Sequence, residues 1–215
     1  MKVLIADDHG IVRDGLRALI EKHPDWEVVG EAEDGQKAVQ LAVELLPDIV
    51  IMDVAMPNLN GIEATRQIVD KLPSVRVVAL SMHSTRHFVV DMLKAGASGY
   101  VLKACLFDDL VNAMETVMTG EVYLSPRIAS MVVDDYVNDV SQDNVPISSI
   151  LTNREREVVQ LLAEGKSVKQ IAMQLHLSAK TIDANRRQVM DKLNIHNVAK
   201  LTKYAICNGL TSIEF

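Results

Sequence analysis

Five polar side chains of this sequence fall at the ends of apolar runs and together could handle a phosphoryl group. Asp7 and Asp8 follow KVLIA, Asp53 ends DIVIMD, Ser81 ends RVVALS and Lys103 ends GYVLK. Carboxylates that converge in a small site repel one another unless a cation joins them, and oxygen ligands in an open site suit Mg²⁺. A metal beside a carboxylate, a hydroxyl and an ammonium makes a phosphoryl site. Because carboxylates can form aspartyl-phosphates, Asp53 is the candidate nucleophile.

The segments that carry these residues alternate with helical patterns over the first 120 residues. Five β-branched runs predict strands at 2–6, 27–32, 48–53, 76–81 and 99–103. Amphipathic stretches predict helices near 10–22, 35–46, 61–71, 85–95 and 106–119. This alternation predicts a parallel sheet covered on both faces, and ligands of such sheets bind at the carboxyl ends of the strands. Any one acid taken alone is explained by solubility or helix capping, but their joint placement at strand ends predicts a site.

The quoted motifs have a family resemblance. ADDH, IVIMDVAMPNLNG, ALS and GYVLK are similar to the motifs of the receiver domain of bacterial response regulators, over essentially residues 1–120. The resemblance implies a flavodoxin-like fold with a five-stranded parallel sheet in the order 2-1-3-4-5. It also implies that Asp8, Asp53 and the Ala55 carbonyl ligate Mg²⁺, with Asp7 assisting through water.

The same resemblance implies roles around the phosphoryl group. Asp53 would accept it, Ser81 would contact it and Lys103 would pair with it. Tyr100 matches the aromatic switch residue, which moves inward when the serine is pulled toward the phosphate. A histidine kinase would be the partner that supplies the phosphoryl group.

Charge separates the chain into two halves. Residues 151–215 hold ten Lys and Arg against six Asp and Glu, a formal charge of +4, which leaves −11 on residues 1–150 of the total of −7. This reversal predicts two domains with different partners, and a polyanion as the partner of the C-terminal domain. No apolar run approaches the roughly 20 residues that cross a bilayer, and the N-terminus lacks a signal-peptide pattern, so a cytoplasmic protein without a membrane partner is expected.

Between the two halves, residues 126–137 predict one more helix, and NDVSQDNVPISS at 138–149 predicts an interdomain linker. The predicted organisation is therefore 1–121, 122–149 for the helix and linker, and 150–215. The last segment shows only short helices. Capping boxes begin at Thr152 and Ser167, Ser178 caps a third helix, and a fourth spans 197–209.

The segment that begins LTNREREVVQLLAEGKSVKQIAMQLHLSAKTID resembles the four-helix, helix-turn-helix DNA-binding domain of the NarL/FixJ (LuxR-type) group. The resemblance implies that helix 167–175 is the scaffold and that helix 178–193 is the recognition helix, which lies in the major groove. At 100° per residue, Ile182, Val189 and Leu193 fall on one core stripe. Lys180, Asp183, Ala184 and Arg187 fall on the opposite face.

By the family pattern, base-edge contacts come from Asp183, Ala184 and Arg187. Phosphate contacts come from the cationic and hydroxyl side chains Lys169, Lys180, Thr181 and Arg186. Asp183 stands where the group commonly has lysine. It could accept a hydrogen bond from a cytosine amino group, or it could form an i,i+4 ion pair that aims Arg187.

Together the two resemblances imply a phosphorylation-controlled DNA-binding transcriptional regulator rather than a turnover enzyme. Its expected partners are DNA, a second copy of the chain when phosphorylated and, as a further candidate, RNA polymerase. In the family the last helix dimerises, which gives Val198, Leu201 and Ala205 as candidate contacts, although the same residues could instead form the domain core. An aspartyl-phosphate phosphohydrolase is disfavoured because Ala55 replaces a second acid. A phosphorelay or protein-interaction adaptor without DNA binding is the other alternative.

Overall fold

The computed structural model describes residues 1–82, 85–139, 151–193 and 195–211, and the chain divides into two compact units between residues 143 and 144. The predicted linker, 138–149, lies outside the described residues from position 140 onward. Within the part that the structure describes, no helix is long and apolar enough to span a membrane.

The first unit is a parallel sheet with helices on both faces. Its strands are β1 (Lys2–Ala6), β2 (Glu27–Ala32), β3 (Ile49–Asp53), β4 (Arg76–Ser81), β5 (Gly99–Leu102) and β6 (Tyr123–Leu124). Its helices are α1 (Gly10–Ile20), α2 (Gly35–Leu45), α3 (Gly61–Lys71), α4 (Arg86–Lys94), α5 (Leu106–Met118) and α6 (Pro126–Asp139). The strand order is β2-β1-β3-β4-β5-β6, so the predicted order 2-1-3-4-5 is confirmed and a sixth strand is added.

Two apolar cores form because successive residues of a strand point to opposite faces. Leu4 and Val50 lie in one cluster, whereas Ile5 and Ile51 lie in the other. Every residue of β3 is buried, as its continuously apolar sequence predicts for a central strand.

The sixth strand joins α6 to the edge of the sheet. Tyr100 of β5 pairs with Leu124, and the Ser125 amide donates a hydrogen bond to the Tyr100 carbonyl at 3.0 Å. Ile128 of α6 is fully buried in the same cluster as Phe88 and Tyr100. The helix predicted at 126–137 is therefore present and packs on the sheet domain.

The second unit contains four helices around one core. They are α7 (Asn153–Ala163), α8 (Val168–Gln174), α9 (Ala179–Lys192) and α10 (Val198–Cys207). Both predicted capping boxes are confirmed at Thr152 and Ser167, and Ser178 caps α9. Helix α7 contributes more buried apolar residues to this core than any other helix, and its Val158, Val159 and Leu161 are fully buried.

The interpretation of α10 as a dimer surface is wrong for two of its three residues. Leu201 and Ala205 are fully buried in the core of the second unit, whereas Val198 is 46% exposed. A domain of about 60 residues has few apolar side chains available, so the inward stripe of its last helix is needed to close its own core. Leu201 and Ala205 are thus not available for contact with a second copy.

Candidate functional sites

The acidic pocket forms where β1 and β3 end side by side. Ala6 pairs with Met52 across these strands, so the residues that follow, Asp7 and Asp53, emerge together. Lys103, after β5, lies with its Nζ 2.7 Å from Asp53 Oδ2 and 2.7 Å from Asp7 Oδ2. A single ammonium therefore bridges two carboxylates that come from sequence positions 46 residues apart.

Burial sets the electrostatics of this pocket. Asp7 is fully buried and Asp53 is 4% exposed. Loss of hydration is the main cause that raises the pKa of Asp53, while the Lys103 ammonium acts in the opposite direction. Burial acts to lower the pKa of Lys103, but the Asp53 and Asp7 carboxylates outweigh it and raise that pKa. The cost of burying two anions is only partly offset by one lysine, which favours a further cation.

A histidine that sequence reasoning left without a role lines the same pocket. His9 Nδ1 lies 2.7 Å from Asp8 Oδ1 and 3.3 Å from Asp7 Oδ1. Partial burial acts to lower the pKa of His9, but the charges of Asp8 and Asp7 raise it overall. The position of His9 directly after two acids at a strand end is the sequence feature that indicates its place in the pocket.

The donor set fits a small divalent cation. One ligand atom from each of Asp7, Asp8, His9 and Asp53 lies within 4.8 Å of all the others. Asp7 Oδ2 and Asp8 Oδ1 are buried and accept no well-oriented hydrogen bond, although Lys103 and His9 are near them. Such oxygens retain lone pairs for a metal, and carboxylates are the ligands that Mg²⁺ prefers.

The Ala55 backbone is close to the pocket. Its amide donates to Asp53 Oδ1 at a donor–acceptor distance of 3.4 Å, which is long for a hydrogen bond. Gly61 also approaches this strand end, because a Cβ at that position would lie 1.9 Å from the Asp53 carbonyl oxygen. The loop after β3 is thus packed tightly against the residue at the centre of the pocket.

Ser81 and Tyr100 are linked on the neighbouring strands β4 and β5. Ser81 is 1% exposed, Tyr100 is fully buried, and their hydroxyl groups share a hydrogen bond. Burial is the main cause that raises the pKa of Tyr100 to about 12. The serine therefore connects the pocket side of the sheet to a core aromatic ring.

Helix α9 presents two distinct faces, as the helical-wheel prediction requires. Ile182 and Val189 are buried in the core, whereas Lys180, Ala184 and Arg187 are exposed. Asp183 is half-buried, and no ion pair joins its carboxylate to Arg187 within 4.0 Å among the described residues. The arrangement in which Asp183 aims Arg187 is thus not the one that the structure shows.

The four residues predicted to contact DNA phosphates differ in their exposure and hydrogen bonding. Lys169 and Lys180 are exposed. The Thr181 hydroxyl lies 2.8 Å from the Ser178 hydroxyl, so it belongs to the cap of α9. Arg186 is half-buried, and its Nε is buried without a hydrogen bond.

An ion pair that the sequence pattern does not predict joins the last turn of α9 to the start of α7. Lys192 Nζ lies 2.8 Å from both carboxylate oxygens of Glu155, which also completes the capping box with Thr152. Burial acts to raise the pKa of Glu155, but the hydrogen bonds from Lys192 and Thr152 outweigh it and lower that pKa. One buried carboxylate therefore stabilises both the start of α7 and the position of the last turn of α9.

A doubly wound domain with an acidic pocket, followed by a helix-turn-helix domain, is the organisation of DNA-binding response regulators. Residues 3–115 match the response regulator receiver domain, and residues 149–205 match the bacterial regulatory proteins of the luxR family. The chain belongs to the NarL/FixJ family of response regulators, which are phosphorylation-controlled, DNA-binding transcription regulators.

Several relatives match nearly the whole length of the chain. The oxygen regulatory protein NreC of Staphylococcus carnosus is 37% identical over 211 residues, covering 96% of this chain and 97% of the relative. The transcriptional regulatory protein DegU of Brevibacillus brevis is 34% identical over 227 residues, covering 100% and 96%. The Salmonella typhimurium response regulator RcsB gives a TM-score of 0.67 at 30% identity, covering 97% of this chain and 98% of RcsB. An RcsB–DNA complex gives a TM-score of 0.59 at 29% identity, with the same coverage.

Proposed function

We propose that Asp53 accepts a phosphoryl group from a partner histidine kinase and that this modification controls DNA binding by α9. The observation that carries the proposal is the Lys103 ammonium held 2.7 Å from Asp53 in a pocket with two further carboxylates. An Asp53 oxygen attacks phosphorus, a P–O bond forms, and the bond to the kinase histidine nitrogen breaks. Lys103 neutralises charge on the transferred group.

The residues that would hold Mg²⁺ are Asp8 and Asp53, with Asp7 acting through water and the Ala55 carbonyl as a further ligand. When bound, the ion would neutralise the charge that develops on the phosphoryl oxygens. Ser81 would contact the phosphoryl group, and its shared hydrogen bond with Tyr100 would carry the change into the core.

The pocket is suited to modification of the chain itself rather than to turnover of a substrate. The position two residues after Asp53 is Ala55, which has no acid to protonate a leaving group. The pocket would therefore place a phosphoryl group on Asp53 and would not process many substrate molecules in succession. Multiple turnover of a small phosphate ester would contradict this view.

The phosphoryl-transfer half is tested with a small-molecule donor such as acetyl phosphate, in the presence and absence of Mg²⁺. Incorporation should require Mg²⁺ and should be lost in Asp53→Asn. Asp70→Asn is a matched control, because Asp70 is an exposed carboxylate on α3 outside the pocket. Equal incorporation in wild type and Asp53→Asn would refute the assignment of the phosphoacceptor.

The DNA-binding half is tested by selection of bound sequences from random DNA, with and without beryllofluoride as a phosphoryl mimic. Arg187→Ala should lose discrimination of about 1–3 kcal/mol at one guanine position. Lys200→Ala is the control, because Lys200 is an exposed cation on α10 rather than on the recognition helix. Absence of salt-sensitive binding in both states would favour the phosphorelay adaptor.

Asp183→Ala should change base preference at one or two positions, since Asp183 makes no ion pair with Arg187 and is left to accept from a cytosine amino group. Uniformly tighter binding with unchanged preference would refute this role. Phosphorylation would act through dimerisation or interdomain contacts, in the cytoplasm where kinase and DNA meet. RNA polymerase is a further candidate partner.

A further inference from the structure

Arg13, on α1, contacts the main chain that carries the acidic pair. Its Nη1 donates a hydrogen bond to the Asp7 carbonyl oxygen at 2.7 Å, and its Nε donates to Glu31 Oε2 at 3.2 Å. The Arg13 side chain is 20% exposed, so it lies largely between α1 and the sheet. It does not touch the pocket carboxylates themselves, and its effect on them has to pass through the backbone.

The contact matters because of which peptide group it holds. The Asp7 amide already donates to the Ala32 carbonyl on β2 at 3.1 Å, which fixes the end of β1. The Asp7 carbonyl belongs to the planar peptide unit that links Asp7 to Asp8. Holding its oxygen therefore orients the Asp8 backbone and the direction in which the Asp8 carboxylate leaves the chain.

Arg13 is itself held by a shared carboxylate. Glu31 Oε1 accepts from Arg17 Nη2 at 2.6 Å and from Arg17 Nε at 2.8 Å, one helical turn after Arg13. Burial acts to raise the pKa of Glu31, but the two arginines outweigh it and lower that pKa. Both arginines thus anchor α1 to β2 through Glu31, and of the two Arg13 is the one whose hydrogen bonds reach the Asp7 backbone.

We infer that Arg13 is a positioning residue for the cation site, which orients Asp8 by holding the Asp7–Asp8 peptide. The inference rests on the proposed function, because it concerns the site that would hold Mg²⁺. Removal of an outer partner of a metal ligand typically weakens metal affinity 10- to 100-fold. Because Arg13 acts through the backbone, about tenfold is expected for its loss.

The experiment compares Arg13→Met with Arg17→Met in the full chain. Each substitution keeps an apolar stem and removes one partner of Glu31, so the two should lose similar stability in thermal unfolding. Mg²⁺ affinity, measured by titration calorimetry, should fall about tenfold in Arg13→Met and stay within about twofold of wild type in Arg17→Met. The Mg²⁺ concentration that gives half-maximal phosphoryl incorporation should rise in the same ratio, with an unchanged rate at saturating Mg²⁺.

Arg13→Lys provides a second variant that keeps the charge opposite Glu31. A lysine lacks the planar fork that serves two acceptors at once, so its Mg²⁺ affinity should fall between those of wild type and Arg13→Met. Equal affinities in wild type and Arg13→Met, or equal losses in the Arg13→Met and Arg17→Met variants, would overturn the positioning role and leave a purely structural ion pair. A wild-type chain that binds no Mg²⁺ would instead overturn the proposed function, and this inference with it.

Discussion

The contact between Glu155 and Lys192 should determine how strongly α9 is held against α7. Glu155→Gln keeps an oxygen that can accept from the Thr152 amide, so the capping box is largely retained, but the charge facing Lys192 is lost. A hydrogen bond between charged groups contributes about 1.5–3 kcal/mol. Lys192 is 33% exposed and regains water when released, so a loss of about 1 kcal/mol is expected.

Glu155→Ala removes the hydrogen bond from the Thr152 amide as well as the ion pair, while the Thr152 hydroxyl still caps the helix. Loss of that hydrogen bond costs about 1 kcal/mol, which brings the expected total to about 2 kcal/mol. Glu157→Gln is the matched control, because Glu157 pairs with Arg154 three residues earlier on the same helix at 2.5 Å. Arg154 also donates to the Leu175 carbonyl at the end of α8, but Glu157→Gln leaves that hydrogen bond in place, so the substitution should cost less than about 0.5 kcal/mol.

The assay is urea unfolding of the full chain followed by two signals. Trp26 is the single tryptophan and packs in a core of the first unit, so its fluorescence transition should not move. The far-ultraviolet circular dichroism transition of the helical second unit should shift to lower urea. A shift of the Trp26 transition, or equal effects of the Glu155 and Glu157 substitutions, would refute the reasoning.

The same carboxylate predicts a dependence on pH. The pKa of Glu155 is lowered in the folded unit, so its contribution is present above the pKa of glutamate in an unfolded chain. That contribution is lost as pH falls from about 5 through the lowered pKa. Glu155→Gln should therefore flatten the stability of the second unit in this acidic range.

Further predictions concern backbone approach, core packing and the buried phenol. Gly61→Ala should destabilise the first unit and impair phosphorylation of Asp53, because the new Cβ would meet the Asp53 carbonyl at 1.9 Å. Gly15→Ala, in α1 with nothing within 4 Å of its Cβ position, should instead stabilise by about 0.5–1 kcal/mol. Leu201→Ala should cost the second unit about 2–5 kcal/mol in denaturant unfolding, because Leu201 is fully buried. Tyr100→Phe should cost the first unit about 1 kcal/mol by losing the hydrogen bond to Ser81.

The sequence was sufficient to predict most of the site because two regularities reinforce each other. Parallel strands bring their carboxyl ends to one edge of the sheet, so Asp7, Asp53 and Lys103 had to meet once their strands were recognised. Capping boxes are local, so the starts of α7 and α8 follow from four residues each. The burial of Ile182 and Val189 likewise follows from helical periodicity alone.

What could not be predicted depends on contacts between distant residues. The Lys192–Glu155 and Arg13–Glu31 ion pairs join elements whose relative orientation is set by packing, and no local pattern marks them. Strand β6 has two residues, too few for any alternation to be visible. Leu201 and Ala205 show the converse limit, because an apolar stripe on a helix does not reveal whether it meets its own domain or a second copy.

Strand β6 also determines where the first domain can be cut. The match to the receiver family ends at residue 115, but the open main-chain groups of Tyr100 are paired by residues 124 and 125. A truncated protein that stops after α5 would leave β5 as an unpaired edge strand and would remove Ile128 from the core. Unpaired edge strands promote association between chains, because their backbone groups can pair with a second chain. The smallest stable fragment of this domain should therefore extend through the part of α6 that carries Ile128, Met131 and Val132.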